Sequence, residues 1–109
     1  MGKAVPKDGG MKLLWENPNP TAQINNGQTV GPGSGLSDWD FLLVTFSLSK
    51  DFNAIFCALY LKVGQNWATR QAVGSVDMTA SGYVEDAGIH YDFAGPNANI
   101  VREIYGIKL

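Results

Sequence analysis

The stretch Phe41-Leu42-Leu43-Val44-Thr45-Phe46-Ser47-Leu48-Ser49 decides the fold class. In its second half, Leu42, Val44, Phe46 and Leu48 share one face, while Thr45, Ser47 and Ser49 share the other. That two-residue period is the signature of a half-buried strand. The first half is apolar on both faces, which predicts an end covered on both sides.

The next segment, residues 52–63, fits two patterns. Phe52, Ile55, Phe56, Leu59, Tyr60 and Val63 make a helical stripe, with Ser49 as cap and Gly64 as stop. Ile55, Cys57, Leu59, Leu61 and Val63 make a strand face equally well. The β-rich surroundings favour the strand, with Lys50-Asp51-Phe52-Asn53 as the hairpin connection. Further short segments follow at 67–73, 75–80, 83–85, 89–93 and 100–107. Turn signals at Ser81-Gly82, Ala87-Gly88 and Ala94-Gly95-Pro96-Asn97 separate them. In the last segment, Ile100, Arg102, Ile104 and Gly106 share one face and Val101, Glu103, Tyr105 and Ile107 the other.

On the N-terminal side, an apolar run at 11–15 stops at Asn17-Pro18-Asn19-Pro20, whose prolines forbid helix and central strand. Asn26-Gly27 is a tight-turn signal, and Gln28-Thr29-Val30 reads as a short strand. Gly31-Pro32-Gly33-Ser34-Gly35 is a loop. It lacks the Lys-Ser/Thr ending and following helix of a phosphate loop. The sum is seven to nine short strands at roughly ten-residue spacing, which predicts an all-β, antiparallel, jelly-roll-like β-sandwich. Residues 1–10 read as a linker or hinge remnant and 11–109 as one domain.

Composition bounds the function. The chain has 109 residues, 45% hydrophobic and 11% aromatic, enough for one core. Only 17% are charged and the net charge is −2, with no basic block. Nucleic-acid binding through phosphate neutralisation is therefore not the expected main function. No apolar stretch reaches the roughly 18 residues of a membrane helix. Residues 1–10 lack an apolar signal core, so the expectation is either a cytosolic origin, for which cell lysis would serve as release, or export by a route that the sequence does not show. The single cysteine, Cys57, forms no internal disulfide and reads as a small apolar residue without a polarising neighbour.

Residues with chemical potential are few. His90 stands in Glu85-Asp86-Ala87-Gly88-Ile89-His90-Tyr91-Asp92, close to three carboxylates. A metal or acid–base site is one reading; a solvated strand end is the simpler one, and no metal or cofactor is expected. Asp38 and Asp40 flank Trp39 at the start of a strand, without the spacing of a glycosidase pair. The aromatic residues are more informative. Sugar-binding surfaces stack rings on pyranoses and hold hydroxyls with amides and carboxylates. Trp67 beside Gln65, Asn66 and Arg70 is the best exposed candidate. Tyr83, Tyr91 and His90 complete the expected binding set. The competing reading places these rings in the core or a subunit interface. Trp15, after Leu13-Leu14, reads as core.

Both ends of the chain carry a further signal. Lys12-Leu13-Leu14-Trp15-Glu16-Asn17-Pro18-Asn19-Pro20-Thr21 is followed by Gln28-Thr29-Val30 and by Leu36-Ser37-Asp38-Trp39-Asp40-Phe41-Leu42-Leu43-Val44. The chain closes on Ile104-Tyr105-Gly106-Ile107-Lys108. This order resembles the small C-terminal domains of tailed-bacteriophage tail- or head-fibre proteins. The resemblance implies a β-sandwich tip, commonly homotrimeric, displayed on a virion beside other virion proteins and able to contact a host surface. The expected function is thus non-enzymatic binding of host cell-surface glycan. The alternatives are a purely structural capsid or tail decoration protein, a free-standing carbohydrate-binding module, and a small hydrolase using His90.

Overall fold

The computed structural model describes residues 10–19, 22–48, 51–73, 76–95 and 99–109. Eight strands form two antiparallel four-stranded sheets packed as a sandwich. The first sheet contains β1 (Met11–Glu16), β8 (Ile100–Ile107), β3 (Phe41–Leu48) and β4 (Asp51–Leu61), in that order. The second contains β2 (Thr29–Val30), β7 (Ile89–Ala94), β6 (Val76–Val84) and β5 (Asn66–Val73). Pairing of β1 with β8 in one sheet and β2 with β7 in the other is the jelly-roll-like feature. The all-β sandwich expected from the sequence is the fold observed.

β3 explains why 51–61 is strand. Leu42, Val44 and Phe46 lie opposite Leu61, Leu59 and Cys57. The inward stripe of β4 is the two-residue one, because its partner offers a flat apolar row. β4 begins already at Asp51, so Asp51, Phe52 and Asn53 belong to the strand rather than to a connection. Ser49, Lys50, Ser75, the 96–97 break and the 1–9 leader lie outside the described residues.

Two further features depart from the pattern expected of the sequence. Ser81-Gly82 is not a turn; both residues lie inside β6. Gly82 is there for close approach, since a Cβ would sit 1.7 Å from the His90 carbonyl oxygen. The alternation of β8 also breaks. Thr45 pairs with Glu103 but Phe46 with Val101, leaving Arg102 as a bulge. Val101 and Ile104 therefore both point inward and are fully buried. Asn17 clamps this point, taking the Arg102 carbonyl at 2.8 Å through its N–H and the Val101 carbonyl at 2.8 Å through its amide. Thus the Asn-Pro stop ends β1 on the bulge.

The core is shared by both sheets. Phe46 of the first sheet meets Trp67 of the second at 5.3 Å, and Trp67 meets Tyr91 edge-on at 4.9 Å. Leu36, Leu42, Val44, Val84, Ile89 and Ile104 close around them. Trp15, expected in the core, packs on its rim and is half-buried. Cys57 is half-buried and faces inward from β4, and burial pushes its thiol up to about 11.

The Asp38-Trp39-Asp40 step is structural. The Trp39 ring lies against Gly106, where any Cβ would collide with it. Lys108 sits 5.4 Å from the Trp39 ring centre and donates to the Asp38 carbonyl. Asp40 accepts the Leu109 N–H at 2.7 Å. The Asp38 carbonyl and the Asp40 carboxylate thus tie down the chain end.

The two outer faces differ. On the first sheet, cross-strand rows run from β1 to β4 as Leu13, Tyr105, Leu43 and Tyr60, then as Glu16, Glu103, Thr45 and Ala58. A row above them holds Met11, Ile107 and Phe41, with Lys62 continuing β4. This face is largely apolar. The outer face of the second sheet is polar.

Candidate functional site

The polar face is built around one cross-strand row. Thr29 of β2 pairs with His90 of β7, His90 with Tyr83 of β6, and Tyr83 with Asn66 of β5. Neighbouring strands lie about 4.8 Å apart, so rings standing upright on adjacent strands meet face to face. The Tyr83 and His90 rings do so, with centroids 4.5 Å apart and planes 25° from parallel. One face of the Tyr83 ring is thus covered by His90. The other is turned toward β5, where Asn66 is exposed.

Hydrogen-bonding groups surround the stacked pair. Thr29 Oγ1 lies 2.8 Å from His90 Nδ1. Glu85 approaches the same nitrogen at 3.6 Å, and Asp92 lies 3.5 Å from Nε2. Asp92 reaches this position through a second bulge. Gly82 pairs with Tyr91 and Ser81 with Phe93, so Asp92 is the extra residue on β7. The bulge also turns Phe93 outward, where it is 48% exposed. Beyond Phe93, a cleft of about 550 Å³ is lined by Gln23, Ile24, Asn25, Asn26, Ala94 and Gly95. Asn26 is committed there, accepting the Ala94 N–H at 2.7 Å. The Asn25 side chain makes no hydrogen bond among the described residues.

The expected set separates into two groups. Asn66, Tyr83 and His90 come together in the row. Arg70 is on the same face further along β5, opposite Thr79, and is exposed. Gln65 lies in the exposed β4–β5 turn, where its side chain accepts the Lys62 N–H at 3.0 Å. Trp67 and Tyr91 do not belong to the surface. Trp67 is 4% exposed and Tyr91 fully buried, and both point between the sheets. The reason is alternation along β5 and β7: Asn66, Ala68 and Arg70 face out, so Trp67 and Thr69 face in. Their polar atoms are satisfied internally. The Trp67 indole donates to the His90 carbonyl at 3.2 Å, and Tyr91 donates to the Asn99 carbonyl at 2.7 Å. Burial raises the Tyr91 phenol above its ordinary value.

Thr29 and Phe93 are the members that sequence reasoning missed. The third acid near His90, Asp86, is used elsewhere. It accepts from Ser37 Oγ at 2.6 Å, Ser37 N–H at 2.9 Å and Gly35 N–H at 3.2 Å. These bonds hold its carboxyl below the ordinary carboxylate value. Asp86 therefore fastens the 33–37 loop.

Chemically, the face offers a polar-edged aromatic pair, a hydroxyl and an amide within one row, with two carboxylates beside it. No group of three or more His, Cys, Asp or Glu suited to a metal ion occurs among the described residues. No helix is long and apolar enough to cross a membrane. No protein-family model, curated protein or solved structure matches the chain.

Proposed function

We propose that this chain is a bacteriophage virion-surface domain of the fibre-tip kind. On this reading it binds host cell-surface glycan, without catalysis, at the outer face of the second sheet. The observation that carries the binding reading is the Tyr83–His90 stack, ringed by Thr29, Asn66, Glu85 and Asp92. Saccharide hydroxyls pair with carboxylates and amides, and C–H faces of the sugar lie on aromatic rings. The exposed Phe93 and the amide-lined cleft beyond it extend the same strip along β7. The virion assignment rests on the sequence resemblance at the two ends of the chain.

An open face of this kind gives weak single contacts, of the order of a millimolar dissociation constant, or about −4 kcal/mol. Display of several copies on one particle converts such contacts into firm attachment, by factors of about 10² to 10⁴. A glycan array probed with the wild-type chain and with Tyr83→Ala tests this. Saccharide binding that falls at least tenfold in the folded variant is expected. No saccharide signal, together with capture of the chain by capsid or tail proteins, would instead favour the structural decoration role.

One observation favours a second reading. Thr29 Oγ1, the His90 ring and Asp92 form a hydroxyl–imidazole–carboxylate row, the components of a hydrolytic triad. Against it, Asp92 is exposed on an open sheet face, where nothing excludes water from a developing charge. Ester hydrolysis above background that vanishes in His90→Ala would support the hydrolase over the binder.

A further inference from the structure

The outer face of the first sheet carries four of the exposed large apolar side chains. Met11 is 55% exposed, Leu13 46%, Tyr60 67% and Leu109 89%. Between them, Phe41, Tyr60, Ile107 and Leu109 line a hollow of about 280 Å³. A monomer in water rarely leaves such a contiguous patch bare.

The charges around this patch point to its occupant. Glu16 and Glu103 lie directly opposite each other at one end. Like charges in that position repel. Neither has a cationic partner among the described residues. Together with burial and the Glu103 hydrogen bond, they hold the Tyr105 phenol above its ordinary value. At the opposite corner, Lys62 lies 5.1 Å from the Phe41 ring centre and has no carboxylate partner among the described residues. The face therefore has an acidic corner lacking a cation and a basic corner lacking an acid.

The dimensions let one copy satisfy another. Four strands about 4.8 Å apart and three rows about 6.7 Å apart make a nearly square face. A two-fold axis in the interface plane, running along the Met11–Ala58 diagonal, turns the square onto itself. Each Lys62 then meets the partner's Glu16. Each Leu13 enters the groove between Phe41 and Ile107, and each Tyr60 reaches Glu103. The strands cross near 90°, one of the two ordinary ways for sheets to pack. We infer that the outer face of the first sheet is a self-complementary interface on which a second copy of this chain packs. It is two-fold, unlike the three-fold assembly expected from the resemblance, and independent of what the second sheet binds.

Light scattering coupled to size exclusion, at about 100 µM, tests this on the full chain. A mass twice the 11.8 kDa of one chain is expected. Leu13→Ser and Tyr60→Ser, both at exposed positions, should each weaken the dimer at least tenfold while leaving the melting curve of the monomer cooperative. Lys62→Glu should dissociate it, and Lys62→Glu combined with Glu16→Lys should restore it. A monomer, a trimer, or a dimer indifferent to Leu13→Ser and Tyr60→Ser would overturn the inference. Failure of the double exchange to rescue Lys62→Glu would overturn the diagonal arrangement.

Discussion

Replacing Trp67 by alanine should cost most of the stability of the domain. The side chain is 4% exposed and is held between Phe46 at 5.3 Å and Tyr91 at 4.9 Å. Truncation of a buried aromatic to alanine costs about 3–5 kcal/mol, from lost transfer energy and the cavity left behind. The Trp67 indole also donates to the His90 carbonyl at 3.2 Å, and losing that bond adds about 1 kcal/mol. The expected loss is therefore about 5 kcal/mol, against a total of roughly 5–15 kcal/mol for a domain of this size. Urea unfolding followed by circular dichroism measures it; thermally, the shift should be on the order of 20–30 °C. Trp67→Phe separates the contributions. It keeps an aromatic ring between Phe46 and Tyr91 but loses the N–H and the volume of the second ring, so about 2–3 kcal/mol is expected. Trp15→Ala, at a half-buried rim position, should cost about 2 kcal/mol. A Trp67→Ala chain within 1 kcal/mol of wild type, or a larger loss for Trp15→Ala, would refute this assignment of core and surface.

Gly82→Ala drives a Cβ into the His90 carbonyl at the β7 bulge and should cost about 3 kcal/mol or more, read as a lower urea midpoint. For Asp86, the carboxyl is held below its ordinary value of 3.8, so its contribution is present above that pH and lost as pH falls through the depressed value. Asp86→Asn should therefore lower the urea midpoint at pH 7, with the gap from wild type closing below pH 3.8. A gap that stays constant down to pH 2 would contradict the Ser37 and Gly35 bonding. The Cys57 thiol, raised to about 11, should react with iodoacetamide at pH 8 far more slowly than free cysteine and reach the free rate on addition of urea.

Most of the fold was legible because each sheet repeats a two-residue period. The 41–49 stretch reads directly as β3. The 52–63 segment does not decide itself, since Leu59 and Tyr60 serve a helix or a strand equally. The decision comes from Val44 and Leu42 across the sheet, and pairing at that distance is not written in a local pattern. The bulges were invisible for the same reason. At Arg102 and Asp92 one residue is added on one strand only, which changes which side chains face out from there on. Phe93 was missed through this. Trp67 was different: the alternation Asn66, Ala68, Arg70 against Trp67, Thr69 was present in the sequence, and it places the tryptophan inward. The polar identity of the neighbours suggested a surface, but those neighbours belong to the opposite face. Asn66, Tyr83 and His90 were identifiable by chemistry, while their meeting in one row depends on the β5–β6–β7 register. Thr29, brought to His90 by a two-residue strand, carried no local signal.

The proposed function requires the Thr29–His90–Tyr83–Asn66 face to bind saccharide. Amide chemical-shift mapping of the labelled chain, titrated to millimolar concentration with oligosaccharides from bacterial cell surfaces, tests it most directly. Shifts confined to residues around Thr29, Asn66, Tyr83, Glu85, His90 and Phe93, and lost in Tyr83→Ala, are predicted. No saturable shift with any saccharide, or shifts centred on Leu13 and Tyr60, would contradict it.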